Sequence, residues 1–226
     1  MDIVHHGGAA GVTGSCHRLR LAPDRSVLVD CGLFQGADLD GHDSLERHRI
    51  DFAVDDVLAL IVTHVHIDHV GRIPYLLAAG YAGPILCSVP SARLLPLVLE
   101  DAVRIGFTRD PALVERFLEE VHDRLAPIPY DQWYEIVDDA RHALHLRLQP
   151  AGHILGSACV ELDATDRRDG SNERIVFSGD LGAADAPLLP APVAPERADR
   201  LVLESTYGDR THEGRKDRQQ RLRRAV

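Results

Sequence analysis

The segment that decides the fold prediction is "IVTHVHIDHVGRIP", residues 61–74. Three histidines and one aspartate fall within the six positions from His64 to His69. His64 and His66 alternate, so their side chains can face the same way in an extended turn. Asp68 and His69 follow where the chain turns into a predicted helix, so their side chains can point to a position next to the one that His64 and His66 face. Imidazole nitrogen and carboxylate oxygen are ligands that zinc accepts without cysteine, so this segment predicts a metal site.

Further ligands are expected from later in the chain. His153 lies in "AGHILGSA" and Asp180 lies in "FSGDLG". Two pairs of ligands with slightly different aim suit two metal ions roughly 3.5–4 Å apart, as in other two-metal hydrolases. Asp180 could bridge both ions. A lone "GH" or "GD" after a strand more often simply forms a turn. In this order, and together with the histidine cluster, His153 and Asp180 instead indicate metal binding.

Composition narrows the class of protein. The chain has 226 residues, of which 45% are apolar and 27% charged, as in ordinary globular proteins. Its formal net charge of −10 argues against coating nucleic acid through net charge, although a bound metal can supply a local positive charge. The four scattered cysteines favour a reducing cytoplasm over a disulfide framework. We find no secretory signal and no apolar stretch that predicts a membrane span.

Strand and helix patterns place the candidate residues at one edge of a sheet. The first half alternates apolar strands such as "VLALIVTH" with helices, and the second half is mostly strands, which predicts a mixed α/β sandwich. Four candidates come just past predicted strands: His64, His153, Asp180 and Glu204. Open α/β sheets place their sites at the carboxyl ends of strands, so these residues are expected to meet.

The clearest helix signal is "DPALVERFLEEVHDRL", residues 110–125. Asp110 suits the N-cap position and is followed by proline at the first helical position. The spacing of Leu113, Phe117 and Val121 predicts that these three side chains form the apolar face.

The quoted motifs together resemble a known family. "VLVDCGLFQG", "THVHIDHVGRIP", "AGHILGSA" and "FSGDLG" resemble the metallo-β-lactamase fold. "GAAGVTGSCH" near the start and "LESTYGDR" at residues 203–210 are similar to its β-CASP branch. That branch contains RNA-processing nucleases related to the endonuclease of the pre-mRNA 3′-end cleavage machinery. The resemblance runs from residue 8 to the end of the chain and implies an αββα sandwich that is incomplete at the C-terminus.

The resemblance also implies roles for individual residues. The implied ligands are His64, His66 and His153 for one zinc ion, Asp68 and His69 for a second, and Asp180 between them. The resemblance implies three catalytic residues, Asp68, Asp30 and Glu204. Asp68 would also be a metal ligand, Asp30 would orient a ligand histidine, and Glu204 would position a catalytic histidine. For Asp30 and Glu204 the alternative is a carboxylate that caps a turn, and spacing alone does not separate the two.

The C-terminal part bears on the domain organisation. The resemblance implies that residues 1–205 are the N-terminal portion of a metallo-β-lactamase domain and that residues 206–226 begin a β-CASP-like insertion. In the family, a general-acid histidine and one further zinc ligand follow that insertion. We therefore expect an N-terminal fragment or a truncated product. The basic "RKDRQQRLRR" could contact RNA phosphates, or be a solvated helix face.

Three functions remain open from the sequence. The first is a zinc-dependent hydrolase that cuts phosphodiester bonds in RNA with a hydroxide held by two zinc ions. The second is a metallohydrolase acting on small thioesters or lactones, and the third is a catalytically impaired fragment that acts as a binding module. The expected partners are an RNA substrate and either a second copy of the chain or a separate chain that supplies the missing C-terminal part.

Overall fold

The computed structural model describes residues 1–39, 44–184, 186–211 and 214–225. It contains two β-sheets, of which the first is built from the N-terminal half of the chain. Its strands are Asp2–Gly7 (β1), Cys16–Ala22 (β2), Arg25–Val29 (β3), Val57–Ile61 (β4), Ile85–Ser88 (β5) and Leu125–Ile128 (β6). They lie side by side in chain order. The pairs β1–β2 and β2–β3 are antiparallel, and the pairs from β3 to β6 are parallel.

The second sheet is built from the C-terminal half. Its strands are Tyr134–Asp138 (β7), His142–Pro150 (β8), Ala158–Asp166 (β9), Ser171–Phe177 (β10) and Arg200–Val202 (β11). Their order across the sheet is β11-β10-β9-β8-β7. All neighbours are antiparallel except β10 and β11, which are parallel. The carboxyl ends of β10 and β11 therefore lie at the same edge.

The helices follow the strands of the first sheet or close the chain. The α-helices are Ser44–His48 (α1), Ile67–Val70 (α2), Ile73–Ala78 (α3), Val89–Gly106 (α4), Pro111–Arg124 (α5) and Arg215–Ala225 (α6), with a short 3₁₀ helix at Gly36–Leu39. The predicted cap of α5 is confirmed, because the Asp110 side chain accepts a hydrogen bond of 2.9 Å from the Ala112 N–H. No helix in the described ranges combines the length and apolarity needed to cross a bilayer.

Two apolar layers stabilise this arrangement. One lies between the sheets and contains Leu19, Val29, Ile61, Leu146, Val160 and Ile175. The other lies between the first sheet and the helices and contains Leu28, Leu60, Ile85, Leu95, Leu99 and Val121. The first sheet is thus buried on both faces, which explains why "VLALIV" is continuously apolar. In β8, by contrast, buried leucines alternate with polar residues, as expected when only one face is packed in the core.

Two sequence expectations need correction. The apolar face of α5 is formed by Val114 and Val121, which are buried, whereas Leu113 is 49% exposed. The prediction chose Leu113 because positions 113 and 114 both stand at helical spacing from Phe117, and only packing against the first sheet separates them. Strands β6 and β7 were not expected. Both are sheet edges, where proline in "LAPI" and exposed polar residues in "YEIVD" are tolerated.

Candidate metal centre

The ends of neighbouring strands bring the candidate residues together. Asp30 follows β3, and its N–H donates to the Ile61 carbonyl at 2.8 Å, so the ends of β3 and β4 are in register. The second sheet is joined to this edge by the Ala158 N–H, which donates to the Thr63 carbonyl at 2.8 Å. The segment after β4 therefore lies between both sheets at the carboxyl end of the parallel strands. This is the edge at which α/β sheets place their sites.

Glycines allow the ligand-bearing loops to approach each other closely. A Cβ on Gly182 would lie 1.7 Å from the Gly152 carbonyl oxygen, and a Cβ on Gly32 would lie 1.5 Å from the Asp68 carbonyl oxygen. The first contact joins the turn after Asp180 to the turn before His153, while the second joins the turn after Asp30 to helix α2. No residue with a side chain fits at either contact without moving a ligand.

Three imidazoles and one carboxylate converge at the end of β4. His66 Nδ1 lies 3.0 Å from His64 Nε2 and 3.2 Å from His153 Nε2. Asp180 Oδ2 lies 3.7 Å from His64 Nε2 and 3.5 Å from His153 Nε2. A tetrahedral zinc ion with bonds of about 2.0–2.1 Å needs donor atoms about 3.3–3.4 Å apart. The observed separations scatter around that value, and the donor set of three nitrogens and one oxygen suits zinc.

A second group of donors lies beside the first. His69 Nε2 lies 3.2 Å from Asp180 Oδ1 and 3.9 Å from Asp68 Oδ2. Asp180 therefore directs one carboxylate oxygen to each group, as a ligand shared by two ions would. The ligands predicted from the sequence all lie in one of the two groups: His64, His66, His153, Asp68, His69 and Asp180.

Asp30 holds His69 in place from behind. Asp30 Oδ2 lies 2.7 Å from His69 Nδ1, which leaves the Nε2 atom of His69 free to face the second group. Asp30 is 1% exposed and also accepts hydrogen bonds from the Thr63 N–H at 2.8 Å and the Ser15 hydroxyl at 3.2 Å. A carboxylate that fixes the orientation of a metal-ligating imidazole is a common feature of zinc sites. Of the two interpretations left open for Asp30, this geometry favours the orienting carboxylate.

Thr63 is a site residue that the sequence analysis missed. Its hydroxyl donates to Asp30 Oδ2 at 2.9 Å and lies 3.1 Å from His64 Nδ1. It therefore couples the supporting carboxylate to ligands of both groups. The sequence signal for this role was the position of Thr63 directly before His64. That signal is weak, because threonine is common in strands for packing reasons alone.

Glu204 caps the turn that follows Asp180. Its carboxylate accepts hydrogen bonds from the N–H groups of Leu181 at 3.1 Å and Thr206 at 3.2 Å. Its own N–H donates to the Ser178 hydroxyl at 3.0 Å. The turn-capping interpretation is therefore the one that these contacts support, while a role toward a catalytic histidine stays a prediction.

The electrostatics of the centre favour a bound cation. Burial and the neighbouring charge of His69 lower the pKa of His64 to about 3, so this imidazole is neutral at pH 7, as a metal ligand must be. Burial also disfavours the charged form of His69, but Asp30 and Asp180 outweigh it and raise the pKa of His69 to about 10. The position between these carboxylates thus stabilises positive charge, which a proton on His69 supplies in the absence of metal and a bound cation would supply in its place.

A cleft of about 190 Å³ opens beside the second group. Its lining includes His69 and Asp180, together with Gly8, Gly11 and Thr206. Because His69 and Asp180 belong both to this lining and to the second group of donors, a substrate that enters the cleft would meet the second group directly. We refer to it as the metal cleft.

Comparison with known proteins identifies the family. Residues 10–208 match the metallo-β-lactamase superfamily. The chain belongs to this superfamily. The metallo-β-lactamase family and the mixed α/β fold class predicted from the sequence are therefore confirmed.

Individual relatives of this metallo-β-lactamase-fold chain are nucleases or act in transcription termination, by their names. A ribonuclease of Thermus thermophilus is 39% identical over 214 residues, which cover 94% of this chain and 45% of the relative. The transcription termination factor FttA of Cenarchaeum symbiosum is 34% identical over 89% of this chain and 30% of its own length. The endoribonuclease YSH1 of Kluyveromyces lactis is 28% identical over 96% of this chain and 28% of its own length. The chain spans less than half the length of each.

Proposed function

We propose that this chain is the metal-binding portion of a zinc-dependent hydrolase that cuts phosphodiester bonds in RNA. The observation that carries the proposal is the convergence of three imidazoles with Asp180, whose second oxygen faces His69. Support for RNA as the substrate comes from the ribonuclease and endoribonuclease among the relatives. Because the chain covers only part of those relatives, the activity of a complete protein belongs to the proposal as well.

The donor sets define which residues would hold the metal. His64, His66 and His153 would hold one zinc ion, and Asp68 and His69 would hold the other. Zinc held there would lower the pKa of water toward neutrality and would neutralise negative charge on a phosphate group. Asp180 would be shared between the ions, and Asp30 would keep the Nε2 atom of His69 directed at its ion.

Three further proposals concern a second domain, the groups that complete the metal centre, and the cellular compartment. We propose that residues 206–226 begin a second domain, since the turn capped by Glu204 ends at Thr206 and helix α6 is basic. A general-acid histidine and a further ligand from another part of the protein, or from another chain, would complete the centre. The cysteines are free and buried, which supports residence in a reducing cytoplasm.

The function is tested by RNA cleavage with matched histidine variants. The zinc-loaded chain is incubated with a labelled single-stranded RNA, and the products are separated by gel electrophoresis. His66→Ala/His153→Ala removes two exposed or half-buried ligands with little effect on the core, and His122→Ala on the surface of α5 is the control. We expect slow, zinc-dependent cleavage by the wild type and the control, because the proposed general acid comes from elsewhere, and none by the double variant.

Two results would contradict the proposal. Cleavage of a thioester but not of RNA by the same preparation would favour the small-molecule hydrolase. RNA binding without cleavage, in a chain that holds zinc and is supplied with excess zinc, would favour the binding module.

A further inference from the structure

A second cavity, of about 330 Å³, lies next to the metal cleft. Its lining includes the side chains of Arg47, Arg49 and Arg72, together with Phe34 and His6. We call it the arginine pocket. His6 lines the arginine pocket and Gly8 lines the metal cleft, so the two are separated by one short stretch of the glycine-rich segment.

Arg72 is a buried cation without a carboxylate partner among the described residues. It is 2% exposed, and its Nε donates to the Gly32 carbonyl at 2.6 Å. Its Nη2 donates to the Gly14 carbonyl at 3.5 Å. Carbonyl oxygens solvate a guanidinium but do not neutralise its charge, and a buried charge without a counter-ion is unfavourable. The positive charge of Arg72 is therefore available to an anion that enters the pocket.

Arg47 brings a second guanidinium to the same aromatic ring. The Cζ atoms of Arg47 and Arg72 lie 4.2 and 4.6 Å from the centre of the Phe34 ring. Arg47 and Arg49 are exposed, and neither forms an ion pair within the part of the chain that the structure describes. A guanidinium offers a planar fork of donors that matches phosphate oxygens, so this clustering is suited to an oxyanion.

The pocket lining carries more arginines than carboxylates, three against Glu46 and Asp51, although the whole chain has a net charge of −10. Burial, followed by the charge of Arg18 and then that of Arg72, lowers the pKa of His6 to about 4, against an opposing effect of Asp51. Burial also lowers the pKa of His48, and the charges of Arg72 and Arg47 act in the same direction. The arginines thus disfavour further positive charge at two separate histidines, and Asp51 opposes them at His6.

We propose that the arginine pocket binds a phosphate group of the RNA strand whose scissile bond lies at the metal centre. This inference rests on the proposed function, because it assigns the pocket to the same substrate. The Cα atoms of His6 and Gly8 are two residues apart and so at most about 7 Å from each other, a gap that a few nucleotides cross. Contacts to the phosphate backbone supply affinity without sequence preference and fix the register of the strand.

The test compares two double variants with the same change in net charge. Arg47→Gln/Arg49→Gln removes the exposed cations of the pocket, and Arg109→Gln/Arg116→Gln removes two exposed arginines at and near the start of α5. Binding of a fluorescein-labelled oligouridylate is measured by anisotropy over a range of salt concentrations, on the zinc-loaded chain and again after chelation. We expect the pocket variant to bind the oligouridylate about five- to tenfold more weakly. The slope of log affinity against log salt should decrease in magnitude by about 0.7 for each phosphate contact that is lost. The control should match the wild type.

A variant that adds net positive charge guards against a folding defect. Asp51→Asn removes a carboxylate from the pocket and should tighten RNA binding several-fold, which a misfolded chain would not do. Equal weakening by both double variants would overturn the pocket while leaving the proposed function intact. A pocket-specific loss of binding in a chain that does not cut RNA would support the pocket and count against the proposed hydrolase. Absence of RNA binding by the wild type would overturn both.

Discussion

Replacement of Asp30 by asparagine tests how the second group of donors is held. Asp30 has a backbone φ of 63°, in the left-handed region that asparagine tolerates well, so the Asp30→Asn backbone should be unstrained. The side chain keeps its size but loses its negative charge. Its amide can no longer accept from both the Thr63 N–H and His69 Nδ1, which lie 2.8 and 2.7 Å from the carboxylate oxygens.

The expected magnitude follows from those contacts. Loss of a supporting partner typically weakens metal affinity by about 10–100-fold, which corresponds to about 1.4–2.7 kcal/mol. A buried donor left without an acceptor adds about 1–3 kcal/mol to the loss of folding stability. The effect on metal should fall mainly on the ion facing His69, because Asp30 contacts that imidazole directly and reaches His64 only through Thr63.

The assay is competition for zinc with a chromophoric chelator, combined with thermal unfolding of the same samples. Asp131→Asn is the matched control, since Asp131 also has a positive φ, of 57°, but lies on the surface next to Gln149. We expect the control to keep wild-type zinc affinity. Wild-type affinity for every bound ion in Asp30→Asn would refute the inference that this carboxylate orients a ligand.

Three further perturbations have defined outcomes. In urea unfolding, Gly32→Ala should lower the free energy of unfolding by about 1–3 kcal/mol, because its Cβ would lie 1.5 Å from the Asp68 carbonyl oxygen. The same variant should bind zinc more weakly. The control Gly106→Ala, which has open space around its Cβ, should be neutral or stabilising. Leu99→Ala should cost about 2–5 kcal/mol by the same measurement, because Leu99 is 0% exposed on the face of α4 that packs against the first sheet. Burial lowers the pKa of His17 to about 4, so the unfolded chain binds more protons between the ordinary value of 6.5 and about 4 and stability falls as pH drops through that range. With chelator present, His17→Gln should remove up to about 3 kcal/mol of this pH dependence, and an unchanged pH profile would refute it.

Much of the metal centre could be predicted because its signals are local in sequence. His64, His66 and Asp68 lie within one turn, and His153 and Asp180 each follow a strand end. Strands β8 and β10 are both antiparallel to β9, so their carboxyl ends lie at one edge, and the expectation that the sites meet at strand ends was correct for these distant residues. The cap of α5 was predictable for the same reason, since it depends on neighbouring residues alone.

Features that depend on packing between distant segments were not predictable. Thr63 acquires its role only when Asp30 lies beside it, and the face of α5 is chosen by the sheet beneath it rather than by periodicity. The edge strands β6 and β7 lack a strand signal, because β6 is a four-residue run that contains proline and β7 carries exposed polar residues, both of which an edge position tolerates. The arginine pocket combines residues from separate parts of the first third of the chain, so no single motif contains it.

The most direct test of the metal centre is the number of zinc ions per chain, measured by elemental analysis on protein purified without chelator. We expect two ions per chain in the wild type, and the same number in His122→Ala. His66→Ala/His153→Ala should lose the ion that these side chains share with His64, while the ion facing His69 remains or is weakened. A wild-type chain without zinc, or a double variant that keeps the full number of ions, would contradict a zinc centre at this edge of the sheets.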